Sequence, residues 1–370
     1  MMIAGEASGD QIGADLAAQI LAVAPDAQLF GMAGERMRAA GVRALVRTEE
    51  VARMGAAELA GGLRPILRAF TTLRRALRHE RPDLVVPIDY PDFNLKLAWC
   101  ARRAGVRVLY YVAPQVWAWR RWRIRTLTRR SDHLAVVLPF EAELYRQAGG
   151  KVTFVGHPLL DRVKPAQDRA ATLARHGLPP RARLLALLPG SRRGEIKYLL
   201  PPMIQAARIL AGDHDLHPVI LRASTLGIHD LETAAGGLHG VRVIDHDAYS
   251  IIAASELALV ASGTATLETA LLGCPMVIAY KMSAVSYLIG RALIHGIDFI
   301  GMPNLIAGRA LVPELIQYDV TAEKLVRAAE PMLTLQLHDQ VARDLLSVRE
   351  RLGKPGAAAR VATMALELIG

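Results

Sequence analysis

The feature that most limits the fold is a recurrence of short, unbroken aliphatic runs separated by stretches of helical periodicity, almost from end to end. In the first half the runs are Ile3-Ala4, Gln28–Gly31, Leu84–Ile88, Val106–Val112, His133–Leu138 and Val152–Val155. Helical patterns such as Ile12–Ala24 and Leu95–Ala104 lie between them. The second half repeats the scheme with Leu184–Leu188, Pro218–Leu221, Val241–Ile244, Leu257–Val260 and Met276–Ala279. Runs that are apolar at every position, not at alternate ones, belong to strands covered on both faces, which assemble as parallel sheets with crossover helices. The segment Gly156–Gln167 interrupts the rhythm with two prolines, and a new series follows. The expected fold class is therefore α/β: two doubly wound, Rossmann-like domains over 1–158 and 159–340, a count that 370 residues also suggests. Helical patterns alone follow Thr321, and the helices of 341–370 are expected to pack back on the first domain or on a second copy in a homodimer. Open parallel sheets bind ligands outside the carboxyl ends of their strands, so two facing sheets would form a cleft. The first run is short for a parallel strand, either by nature or because a few preceding residues are missing.

Composition excludes several classes. With 52% hydrophobic and 22% charged residues the chain builds ordinary cores and is no disordered or collagenous scaffold. Lys plus Arg number 45 against 35 Asp plus Glu, a net +10 that favours nucleic acid, an acidic membrane surface or phosphorylated substrates. Cys100 and Cys274, far apart and each in an apolar stretch, read as inert buried thiols. No basic leader opens the chain and no apolar run reaches the ~20 residues of a spanning helix, so a cytoplasmic, soluble or peripheral protein is expected.

Five segments carry residues suited to chemistry. Gly5-Glu6-Ala7-Ser8-Gly9-Asp10 runs from strand into helix; its glycines permit close approach of a ligand, Ser8 or Asp10 can cap the helix, and Glu6 suits sugar hydroxyls better than a diphosphate. Asp89 ends the strand Leu84–Ile88, where a carboxylate can take a proton from a substrate hydroxyl, and Asp92 reads as a helix cap. Between Pro114 and Arg130 lie three of the four tryptophans and six arginines, suited to a phosphate-bearing, lipid-bearing or nucleic-acid partner. In the second half, Gly190-Ser191-Arg192 with Glu195, and Ser262-Gly263-Thr264 with Glu268, each follow a strand and open a helix. Together they present amides, hydroxyls and a guanidinium to a nucleoside diphosphate, with Glu268 one turn deeper for the ribose. No H-E-x-x-H or D-x-D chelate is present, and no metal or other cofactor is expected. Leu59, Leu63, Ile66, Leu67, Phe70, Leu73 and Leu77 follow helical spacing. Beside them Arg64, Arg68, Arg74, Arg75 and Arg78 fill an arc of about 120°. This is either an interfacial helix or a core helix with a solvated basic face.

Taken in order, GEASGD (5–10), IDYPDFN (88–94), PQVWAWR (114–120), FVGHPL (154–159), LLPGSRRGEI (187–196), ASGTATLE (261–268) and PNLIAGR (303–309) resemble the lipid-A-disaccharide synthase family over most of the chain. The resemblance implies a metal-independent GT-B glycosyltransferase that works by inversion. It implies transfer of diacylglucosamine from UDP to diacylglucosamine 1-phosphate, giving a β-1,6-linked disaccharide at the cytoplasmic leaflet of the inner membrane. It makes Asp89 the base on the acceptor 6-hydroxyl, assisted by Glu6. Ser8, Asp10, Asn94, Gln115, Trp117 and Asn304 become substrate-binding residues. Gly190, Ser191, Arg192, Glu195, Ser262, Gly263, Thr264 and Glu268 become UDP-binding residues. Leu63, Leu67, Arg68, Phe70 and Arg75 become membrane contacts, with anionic lipid and not nucleic acid explaining the basic charge.

Three other readings remain distinguishable. The GT-B N-acetylglucosaminyltransferase of peptidoglycan precursor synthesis should carry a GGTGGH-like first loop, where this chain has GEASGD. A UDP-sugar 2-epimerase shares the fold but has no need of a basic leucine helix. A nucleic-acid-binding protein needs neither Asp89 nor two phosphate loops.

Overall fold

The computed structural model describes residues 1–55, 63–114, 122–238, 240–283, 287 and 298–370. The chain divides into two compact units, Met1–Pro158 with Leu352–Gly370, and Leu159–Arg351. The eleven residues 341–351, expected in the tail, thus belong to the second unit, and only the last helix returns to the first.

The first unit is built on a seven-stranded sheet, all of it parallel: β1 (Met2–Ala4), β2 (Phe30–Ala33), β3 (Arg43–Arg47), β4 (Leu84–Ile88), β5 (Arg107–Tyr111), β6 (His133–Val136) and β7 (Val152–Phe154). Their order is β3-β2-β1-β4-β5-β6-β7. The second unit has a six-stranded parallel sheet of β8 (Arg183–Leu188), β9 (Leu216–Leu221), β10 (Arg242–Ile244), β11 (Ser255–Ala261), β12 (Met276–Tyr280) and β13 (Glu314–Ile316), ordered β10-β9-β8-β11-β12-β13. The central strands are buried along their length, as all five residues of β4 illustrate, because helices cover both faces. Two of the four edge strands, β3 and β13, lie outside the aliphatic runs of the sequence. Each pairs on one side only and is mostly exposed or half-buried, so neither needs a continuous apolar run.

The helices that position chemistry are α1 (Ala7–Val23), α2 (Glu35–Ala39), α3 (Leu63–His79), α4 (Pro91–Arg103) and α5 (Trp122–Arg130) in the first unit. In the second they are α6 (Arg193–His214), α7 (Thr264–Leu271), α8 (Met302–Ala307) and α9 (Leu335–Arg351). The last helix, α10 (Ala357–Ile369), packs on α1. Leu73, Leu77, Phe93, Leu97, Met32 and Val85 join in one core cluster of the first unit. No helix among the described residues is long and apolar enough to cross a membrane.

Both sheets reverse direction of winding once, between β1 and β4 and between β8 and β11. Ligands of open parallel sheets bind at such switch points. The register places the ends of those strands side by side: Ala4 opposite Ile88, and Leu188 opposite Val260. The next residues in each strand are Gly5 and Asp89, and Pro189 and Ala261.

Candidate active site

At the first switch point the chain leaves β4 through two consecutive residues in left-handed conformation, Asp89 (φ 47°) and Tyr90 (φ 49°). Non-glycine residues there cost of order 1–3 kcal/mol each and persist only where neighbours fix them. The neighbours are visible. The Asp89 carbonyl accepts hydrogen bonds from Tyr110 Oη and from Asn94 Nδ2, both at 2.7 Å, while its N–H donates to the Tyr111 carbonyl at 3.2 Å. Asn94 Nδ2 also donates to the Ile88 carbonyl at 3.2 Å. The Tyr90 ring folds over the opposite loop, and a Cβ on Gly5 would stand 2.2 Å from it, so only glycine fits. Asp89 itself is half-buried. Burial, and secondarily the charge of Glu6, push its carboxyl up to about 6, against a smaller opposing hydrogen bond from the Tyr90 backbone. A carboxylate with that affinity for protons, at a strand end, is equipped to accept one near neutral pH.

Glu6 occupies the cap position of α1 with extended backbone but makes no capping hydrogen bond. Glu6 and Ser8 are exposed on the loop, available to a ligand. Asp10 is not. Its buried carboxylate accepts N–H bonds from Gly34 (2.7 Å), Arg36 (3.0 Å) and Met37 (3.2 Å), capping α2 and tying the β2 turn to α1. Asn94 is likewise fully buried, and its Nδ2 holds the Asp89 turn, while its Oδ1 has no hydrogen-bond partner within the protein.

The second switch point is more open. β11 runs into α7 through Ser262-Gly263-Thr264, with Gly263 at φ 147°, a conformation L side chains rarely adopt, and open space where its Cβ would be. No side chain caps α7. Gly263 and Thr264 are exposed, so the amides that open α7 face an accessible surface, while the Thr266 N–H turns back to the Gly263 carbonyl at 3.1 Å. Ser262 is tied back, donating its N–H to the Ala279 carbonyl (2.9 Å) and its hydroxyl to that of Ile300 (3.1 Å). One turn on, Glu268 accepts a hydrogen bond from Tyr249 Oη at 2.9 Å, and burial raises its carboxyl above the usual range, with that hydrogen bond and Arg162 opposing. On the neighbouring strand end, Arg192 is exposed and ends the Gly190-Ser191 turn.

The family model for Lipid-A-disaccharide synthetase matches residues 1–366. A lipid-A-disaccharide synthase from Syntrophus aciditrophicus is 46% identical, covering all of this chain and 97% of that protein. One from Geobacter sulfurreducens is 45% identical with the same coverage. This chain belongs to the lipid-A-disaccharide synthase family. It is a glycosyltransferase. Its fold is GT-B, as the likeness to the kitacinnamycin glycosyltransferase structure also shows, with TM-score 0.65 at 15% identity over all of this chain and 98% of that one.

Within this member of the lipid-A-disaccharide synthase family, other expected site residues have different work. Glu195 is a cap: its carboxylate accepts the N–H groups of Ser191 (2.8 Å) and Arg192 (3.2 Å) at the start of α6, so those amides and that carboxylate satisfy one another. Asn304, expected to bind substrate, is fully buried in α8. It donates to the Val312 carbonyl (2.9 Å) and Glu314 (2.8 Å) and accepts from the N–H groups of Leu311 (2.7 Å) and Val312 (3.1 Å), fixing the loop before β13. Gln115 and Trp117 lie outside the described residues, and the side chain of Leu63 does too. Tyr90, Tyr110 and Tyr249 also support these turns, and aromatic residues beside strand ends carry no signal in sequence that separates them from core. Asp92 is exposed and pairs with buried Arg123, so it does not cap α4, whose cap position is Tyr90. On α3 the core takes Leu73 and Leu77, Phe70 is half-buried edge-on to Phe93 (5.8 Å), and Leu67, Arg68 and Arg75 are exposed. Leu59 also lies outside the described residues; among the described side chains of the stripe, Ile66, Phe70, Leu73 and Leu77 pack on the core and Leu67 is exposed. Among the described residues no group of three or more His, Cys, Asp or Glu side chains could hold a metal ion.

Proposed function

We propose that this glycosyltransferase joins a 2,3-diacylglucosamine carried on UDP to the 6-hydroxyl of 2,3-diacylglucosamine 1-phosphate. The reading rests on family membership and on one local observation above all: a strand-end carboxylate whose backbone is fixed by Tyr110 and Asn94 and whose proton affinity is raised to about 6. In the reaction Asp89 accepts the proton of the acceptor 6-hydroxyl as its oxygen bonds to the anomeric carbon of the donor. The bond from that carbon to the β-phosphate oxygen breaks, and its electron pair leaves with UDP. Attack from the face opposite an α-linked leaving group yields the β-1,6 product. Glu6 and Ser8 are the exposed groups of the first loop that meet sugar hydroxyls. The charge that develops on UDP is met by Arg192 and by the amides of Gly263 and Thr264, with Glu268 for the ribose and no metal ion. The enzyme works at the cytoplasmic leaflet of the inner membrane, to which the exposed Leu67, Arg68 and Arg75 of α3 hold it.

Incubation with UDP-diacylglucosamine and diacylglucosamine 1-phosphate, in detergent and with EDTA present, should release UDP and form the disaccharide. Free diacylglucosamine without disaccharide, or turnover only after magnesium or manganese is restored, would refute the assignment.

A further inference from the structure

The net positive charge of this protein is concentrated in one place. α3, α4 and α5 together hold 39 residues, with twelve Arg or Lys and a single carboxylate, Asp92. That is a net +11, so the other 331 residues, with 33 cations and 34 carboxylates, sum to −1. α4 packs against both α3 and α5, so the three helices are neighbours. The one acid is already paired with Arg123. Within this basic layer lies a cavity of about 250 Å³, lined by Phe70, Arg74, Lys96, Trp99, Cys100 and Arg130. Its walls are apolar and aromatic, and its cations belong to all three helices. Trp99 is 45% exposed, and Arg103 lies over its ring at 4.8 Å. Arg130 is braced by a bond from Nη1 to the Leu95 carbonyl at 2.9 Å. Leu67 on α3 and Trp122 on α5 are also exposed, at 58% and 66%.

We propose that this groove is a binding site for an anionic phospholipid of the bilayer, with the headgroup phosphate held by Arg74, Lys96 and Arg130 and the first methylenes of the chains lying against Phe70 and Trp99. Tryptophan with Arg or Lys is the pairing found where one end of a site is apolar and the other wet. A concentrated positive field draws a polyanionic surface, and an apolar floor beside it retains an amphiphile better than a free phosphate. The site extends the membrane docking proposed above from one helix to a three-helix face, and rests on that reading. It does not depend on the sugar chemistry, and its test contains neither substrate.

The test is binding of the full chain to phosphatidylglycerol-containing vesicles at physiological salt, against pure phosphatidylcholine vesicles. Arg74→Glu with Lys96→Glu should lower vesicle affinity about tenfold or more, since each cation near an anionic surface contributes several-fold. The charge-matched pair Arg181→Glu with Arg343→Glu, on the second unit, should change it far less. Trp99→Phe, which preserves an aromatic filler, should remove a component of the emission quenched by brominated phospholipid. Equal loss in both charge-reversed pairs, equal binding to neutral vesicles, or unchanged quenching would overturn the proposal. So would loss of single-stranded RNA binding in the first pair with vesicle affinity intact, which would assign the groove to nucleic acid. Disaccharide synthesis in detergent is read separately, so a failure of the groove and a failure of the proposed reaction are told apart.

Discussion

The two switch points are built alike and finished in opposite ways. At the end of β4 the backbone is strained and over-determined: two left-handed residues, a carbonyl with two side-chain donors, and a tyrosine ring pressed on a glycine. At the end of β11 the chain is relaxed by Gly263, and no side chain caps the helix that follows. A group that moves a proton needs a fixed position and reduced solvation, since both set its proton affinity. A site for a diphosphate needs the reverse, amides left open until the anion arrives. The same fold element can meet either need, because the difference lies in which buried neighbours surround the turn.

The sharpest way to break this contrast is Asp89→Asn, which keeps the shape and cannot take the proton. It should lower kcat by ~10²–10⁴-fold with UDP-sugar binding nearly intact. Retention of more than about a tenth of kcat would remove Asp89 from the role of base. The same variant carries a stability signature. Because the folded carboxyl titrates near 6 rather than 3.8, its ionisation opposes folding. That cost is absent below both values, grows between them, and is complete above about 6. Asp89→Asn should therefore be more stable than the wild type by roughly 2–3 kcal/mol in mildly alkaline buffer and gain nothing in acid. Denaturant midpoints at the two pH values check it.

On the open side, Arg192→Ala should raise KM for the UDP-sugar by ~10–100-fold, the worth of a charge-assisted hydrogen bond, and leave the pH profile where it was. A shift of the profile would mean that the two sites are not separable as described. Tyr110→Phe probes the scaffold rather than the base. It removes one of two donors to the Asp89 carbonyl and should cost ~3–10-fold in kcat with KM for the UDP-sugar unchanged. It should also move the acidic limb of the kcat profile; a lowered Tm with an unmoved limb would reduce Tyr110 to a structural residue. The smallest expected effect is Glu6→Gln. Removing that negative charge should shift the acidic limb to lower pH, because the charge of Glu6 adds to the larger effect of burial in holding the Asp89 proton. A limb that stays in place would leave burial alone as the cause.

Much of this was legible in the sequence. Continuous aliphatic runs announce strands buried on both faces, and residues that follow such runs fall at the carboxyl ends of parallel strands, so Asp89, Arg192 and the Ser262–Thr264 loop could be picked out by position alone. Two edge strands, β3 and β13, could not, because a strand with one neighbour can be built without a continuous apolar run; the other two, β7 and β10, fall within the runs Val152–Val155 and Val241–Ile244. Nor could the difference between a polar residue that meets a ligand and one that meets the backbone. Asp10, Asn94, Glu195 and Asn304 sit in motifs with the right composition, yet all four spend their side chains on amides or carbonyls of the fold. For Asp10 those amides are 24–27 residues away.

What the sequence determined by itself is the period of burial, the strand ends and the charge carried by each helix, since these depend on residues adjacent along the chain. Tertiary packing alone sets which polar side chains are satisfied internally, how far burial raises the proton affinity of Asp89, and that one cation from each of α3, α4 and α5 lines a common groove. Those outcomes depend on neighbours distant in sequence, and desolvation and hydrogen-bond satisfaction act through whatever is close in space.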